Sequence, residues 1–131
     1  MPRKTVPFDT DALTAAAGGL AAGQRLPGGQ LAGLTRAVCQ ELARLYPGGS
    51  IELRVPPFAA VQLAVDDAGR HRRGTPPNVV ECTPEVLVAL AAGTLTWAEG
   101  RAAHLITASG TRSDLSQVFP LAGLPAEDSE K

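Results

Sequence analysis

The stretch from Glu81 to Leu121, ECTPEVLVALAAGTLTWAEGRAAHLITASGTRSDLSQVFPL, decides how the rest of the chain is read. Thr83, Pro84 and Glu85 spell a helix start: a hydroxyl to cap free N–H groups, a proline at the first helical position and an acid near the positive end of the dipole. Val86, Leu87, Leu90 and Ala91 follow on one helical face, and Gly93 can take the positive φ that ends a helix of about ten residues. Thr96 and Glu99 have the spacing of a capping box, so a second, shorter helix follows almost at once. It gives way near His104 to the β-leaning Leu105 to Ser109, closed by Gly110, and Thr111 to Asp114 again offers capping side chains. The expected order is helix, helix, strand, helix.

Upstream, Leu31, Leu34, Val38, Leu42 and Leu45 step by three and four, which predicts an amphipathic helix over Gln30 to Tyr46, closed by Pro47-Gly48-Gly49. Ser50 to Val55 alternates apolar Ile51, Leu53 and Val55 with Glu52 and Arg54, the period of a half-buried strand. Pro56-Pro57 ends or bends it. Ala59 to Val65 resumes with Val61, Leu63 and Val65 on one face and Ala60, Gln62 and Ala64 on the other, a small second face with room for a helix or a guest. Asp66 to Gly69 reads as a hairpin turn, Arg70 to Gly74 as the returning antiparallel strand, and Asn78 to Cys82 as a further strand. Near the N-terminus, Asp9 to Ala22 has caps and Leu13, Ala16, Ala17 and Leu20 at helical spacing, but Gly18-Gly19 weakens it by about 1 kcal/mol per glycine relative to alanine.

Three words in the opening stretch carry a family likeness: Thr83-Pro84-Glu85, the run Leu90 to Glu99 (LAAGTLTWAE), and Ala108 to Leu115 (ASGTRSDL). Arg54 to Gln62 (RVPPFAAVQ) and Arg73 to Glu81 (RGTPPNVVE) add to them. In this order and spacing the chain resembles the sterol carrier protein family, and within it the short bacterial domain found in actinobacteria. The likeness spans roughly Gln30 to Leu121. Gly100 and His104 stand where that family is expected to carry alanine and glycine, so the second helix is expected to be looser and its exit different.

Residues and resemblance together give an α+β fold: a mainly antiparallel sheet of about five strands with helices packed on one face. Residues 1–29 are expected to form a lead-in with a short helix, 30–125 the sterol-carrier-like domain and 126–131 a charged, disordered tail. A chain of 131 residues with a net charge of −1 fits one domain and sets up no field for nucleic acid or an acidic membrane. No apolar run reaches the roughly 20 residues that a spanning helix needs, and the first residues lack an apolar signal core, so a cytoplasmic protein without stable membrane insertion is expected. Cys39 and Cys82 read as a reduced, buried pair.

The motifs of common enzyme classes are missing: there is no GxSxG elbow, Walker loop, GxGxxG, HExxH or CxxC. No catalytic residue, cofactor or metal site is therefore assigned. Arg70, His71 and Arg72 lie on the expected hairpin, where a charged edge strand is the ordinary explanation and a headgroup contact at a pocket mouth the sharper one. His104 follows a helix and suits its negative end, and the caps from Thr111 to Ser113 could hold an anion but are explained as capping.

The resemblance implies an apolar cavity between sheet and helices that holds a sterol, a fatty acyl chain or a similar lipid. The candidate lining is Val61, Leu63, Leu90, Trp97, Leu105, Ile106 and Phe119, residues that would otherwise simply be core. An empty pocket of about 300 Å³ would cost on the order of 7 kcal/mol, comparable with a small domain's whole stability, so it must be occupied, collapsed or wet. The expected function is noncatalytic binding or transport of this hydrophobic ligand. The alternative is a closed-core accessory module that forms a homodimer or docks on a partner enzyme.

Overall fold

A computed structural model describes residues 8–65 and 78–121. The elements run α1 (Thr10–Ala21), α2 (Gly28–Leu45), β1 (Ile51–Val55), β2 (Ala59–Leu63), β3 (Asn78–Glu81), α3 (Pro84–Ala92), α4 (Trp97–Ala102) and β4 (Thr107–Ser109), followed by a 3-10 turn at Ser116–Val118. The four strands form one sheet in the order β2-β1-β3-β4.

The sheet is mixed, which corrects the expectation of a mainly antiparallel one. β1 pairs antiparallel with β2, β3 antiparallel with β4, and the central pair, β1 with β3, is parallel. Ile51 is opposite Leu63 on one side and Asn78 on the other, so the link from β2 to β3 leaves and rejoins the same end of the sheet, having passed from one flank of β1 to the other. A local hairpin pattern cannot reveal such a hop. The fifth expected strand, Arg70 to Gly74, lies outside the described residues, as do the turn at Asp66 to Gly69 and the charged tail.

One face of the sheet is core. Ile51, Leu53, Val55, Leu63 and Val80 are all buried there, together with Val38 and Leu42 of α2 and Leu87, Val88 and Leu90 of α3. The other face carries Arg54, Ala60, Gln62, Glu81, Thr107 and Ser109, all exposed. Arg54 Nε donates to Glu52 Oε2 at 2.9 Å on that face, and Glu81 faces Arg54 across the ladder. The small second face of β2 is thus exposed and, among the described residues, takes no helix. Its alternation also breaks early: Ala64 is buried, with its N–H donated to Tyr46 O at 3.0 Å.

The helix grammar has direct structural counterparts. Thr83 Oγ1 accepts from Val86 N at 3.2 Å, Gly93 ends α3 at φ 87°, and Thr96 with Glu99 makes both bonds of the capping box, at 3.0 and 2.9 Å. α2 buries Leu31, Thr35, Val38, Cys39 and Leu42, one stripe at helical spacing. Between β1 and β2, Phe58 N donates to Val55 O at 3.0 Å across the cis Pro56–Pro57 peptide.

α4 ends differently from the expected run into a strand. Leu105 N donates back to Gly100 O at 2.9 Å, and His104 takes the left-handed conformation at φ 61°. Leu105 is spent on the helix exit, so β4 begins only at Thr107. The expected last helix is a single 3-10 turn, because the backbone before it has other partners: Arg112 N bonds Asn78 Oδ1 at 3.0 Å and Ser116 N bonds Asp114 Oδ1 at 2.8 Å.

α1 packs on α3 and buries Leu13, Ala16 and Ala17. Gly18 and Gly19 do not interrupt it. Full burial of Leu13 alone contributes about 1.5–3 kcal/mol, which offsets the roughly 2 kcal/mol that two helical glycines cost.

Candidate functional site

Six of the seven candidate lining residues belong to the apolar layer or its rim, in two groups. Val61 and Leu63 lie on β2, opposite Leu53 and Ile51. Trp97, Ile106 and Phe119 lie around α4 and β4, and Leu90 belongs to α3, one turn before Gly93, which stands beside Pro120. β2 and β4 are separated by three strand spacings, about 14 Å. The residues therefore mark two ends of one layer and do not make a single ring.

At the β4 end the packing interlocks. The Trp97 and Phe119 rings are stacked, with centroids 6.5 Å apart and planes at 15°. Gly100 lets Ile106 approach so closely that an added Cβ would lie 2.5 Å from Ile106 Cδ1, and Leu95 closes on the same point. The expected loosening of α4 by this glycine is thus matched by an isoleucine that fills the space it leaves. Ile106 is buried, whereas Leu105 points outward with 44% of its surface exposed and does not line the interior with the others.

At the β2 end the cover is thinner. Leu63 is completely buried, but Val61 and Ala59 beside it, Leu34 on α2 and Phe58 in the connecting turn are only partly so. Phe58 was not among the expected lining residues. Its ring lies under the Arg36 guanidinium, 6.0 Å from centroid to Cζ, which ties the turn to α2. A lone aromatic between two short strands was the available signal.

Three buried polar side chains occur among the described residues, and each is hydrogen-bonded: Thr35 Oγ1 donates to Leu31 O at 2.8 Å, Ser50 Oγ to Leu63 O at 3.4 Å, and Asn78 Nδ2 to Ser50 O at 2.9 Å. Cys39 and Cys82 are free and buried; burial pushes their thiols up to about 11 and about 12, with each other's proximity and Glu81 adding to the second. Thiols held protonated in this way are poor nucleophiles and poor metal ligands at neutral pH. No group of three or more His, Cys, Asp or Glu suited to a metal ion occurs among the described residues. His104 is exposed beyond the end of α4, and Arg70, His71 and Arg72, the candidate headgroup contacts, lie outside the described residues. No helix among the described residues is long and apolar enough to cross a membrane.

Two comparisons bear on the layer so described. A family model for the bacterial SCP (sterol carrier protein) ortholog matches residues 28–121, from the start of α2 to the end of the described core. No curated protein matches the chain.

Proposed function

Because the chain belongs to the bacterial sterol carrier protein family, we propose that it binds a hydrophobic small molecule and moves it within the cytoplasm without converting it chemically. The ligand class is a sterol, a fatty acyl chain or a similar lipid. The family match over residues 28–121 carries this reading. The interior supports it: the polar side chains buried there are already bonded within the protein, so a guest would be held by apolar contact and shape, and selectivity among lipids would be broad. An elongated guest can bridge the two groups of lining residues, with Val61 and Leu63 at one end, Leu90 between, and Ile106, Trp97 and Phe119 at the other.

Native mass spectrometry of the freshly purified protein, before and after organic extraction, tests the reading. Extra mass that leaves with a defined lipid, and returns with quenching of Trp97 when that lipid is added back, is the expected result. A bare polypeptide mass, no uptake of fatty acid or sterol and an unchanged Trp97 signal would overturn it.

A closed-core accessory module, dimerising or docking on a partner enzyme, has one observation in its favour. Leu105 is 44% exposed beside α4 while Leu63, Leu90 and Ile106 are sealed inside. A mass that rises with protein concentration, without lipid uptake, would select this second reading.

A further inference from the structure

Leu63, Leu90 and Ile106 are closed off from solvent, so a guest that reaches them needs part of the cover to move. The family match begins at residue 28, and α1 lies wholly before it. α1 nevertheless covers α3, a helix with apolar side chains at every position except Glu85. Without α1 the outer side of that apolar helix would face water, while α2 still holds it from the other side.

The attachment of α1 is close but rests mostly on small side chains. Its buried side chains are one leucine and two alanines, with Phe8 and Leu20 packed partly against the core. Among the described residues no ion pair or side-chain hydrogen bond joins α1 to residues 28–121; its one side-chain bond is its own cap, Asp9 Oδ1 accepting from Ala12 N at 2.9 Å. The link to α2 is exposed at Ala22 to Arg25, turns through Gly23 at φ 86°, and is anchored only by partly buried Leu26. Elements with few apolar contacts and exposed hinges open locally while the remainder stays folded.

We propose that α1 is a gate: it detaches from α3 and unwinds while the sheet, α2 and α3 stay folded, and this opening admits the lipid to the interior before α1 refolds in place. The gate rests on the carrier reading above.

The test uses the full chain and Gly18→Ala. Gly18 is exposed with nothing within 4 Å of an added Cβ, so the substitution strengthens the helix without touching α3. Hydrogen exchange of the unsubstituted protein is expected to be at least tenfold faster in α1 than in α3 and β1. Gly18→Ala slows exchange in α1 roughly fivefold, leaves α3 and β1 unchanged, and slows both uptake and release of cis-parinaric acid, a fluorescent polyene fatty acid, by the same factor at unchanged Kd. Equal protection of α1 and α3 would overturn the gate, because the two would then open only together. Uptake and release at unaltered rates in Gly18→Ala would overturn it too, while leaving the carrier intact. Failure to bind either parinaric acid or any extracted lipid would remove the carrier, and the gate with it.

Discussion

The two sides of the sheet are roofed in different ways. Beside β4, side chains interlock: Ile106 occupies the space that Gly100 leaves, Trp97 stacks on Phe119, and Pro120 rests against Gly93. Beside β2, the apolar groups of Val61, Ala59, Leu34 and Phe58 stop halfway between core and water. The first arrangement contributes stability and leaves little to rearrange. The second leaves apolar surface close to the solvent. The carrier reading calls for both, since an interior that yields everywhere would collapse and one that yields nowhere would admit nothing.

Paired substitutions give the largest effects by which this contrast can be broken. Ile106→Ala should cost about 2–5 kcal/mol in denaturant unfolding, the range for a truncated side chain in a tight core, while Val61→Ala should cost about 1 kcal/mol. Equal losses would mean that the β2 side is as tightly sealed as the β4 side. Val61→Asp should then weaken fatty acid binding at least tenfold, since the carboxylate would face an apolar guest.

A smaller effect reads the layer between the two sides, where Cys39 of α2 and Cys82 just past β3 are buried. Their folded values, about 11 and about 12, lie above the ordinary 9.0, so between these pH values the unfolded chain gives up thiol protons that the folded one keeps. Their contribution is therefore intact below pH 9 and declines as pH rises from 9 toward 12, by up to about 1.4 kcal/mol per pH unit for each thiol. Urea midpoints across this range should fall less steeply in Cys82→Ala than in the parent. Equal slopes would show that the layer is wetter there than its burial indicates.

The smallest effect sharpens the β4 side. His104 occupies a left-handed position that glycine adopts without strain, and its side chain is exposed. His104→Gly should raise stability by about 1 kcal/mol and leave lipid uptake unchanged. A change in uptake would mean that the histidine takes part in binding.

What could be read in the sequence was local. Thr83, Thr96, Glu99 and Gly93 declare their helix ends because a cap acts within one turn, and β1 declares its faces because its side chains alternate. The family, too, was legible, from short words kept in order. The parallel pairing of β1 with β3 was not, because it depends on where a distant segment rejoins the sheet. Nor was the outward turn of Leu105, which the chain spends on closing α4 before the strand begins. Val61 and Leu63 looked like neighbours of Trp97 only while the width of the sheet was unknown. The clamp at Asn78, which bonds Ser50 O and Arg112 N from one buried amide, joins three distant parts of the chain and leaves no periodic trace.

The place of β1 in the sheet also orders the chain's assembly. β1 meets β2 across a turn of three residues but must wait for residue 78 before its other edge is paired. Closing a short loop costs less entropy than closing a long one, so the hairpin is expected to form first, with the parallel partner following. During synthesis, a chain that has emerged only as far as β2 would offer β1 as a bare edge carrying Ile51, Leu53 and Val55, the kind of edge that recruits strands from other chains. The same strand that organises the finished sheet is thus the chain's most exposed liability while it is being made.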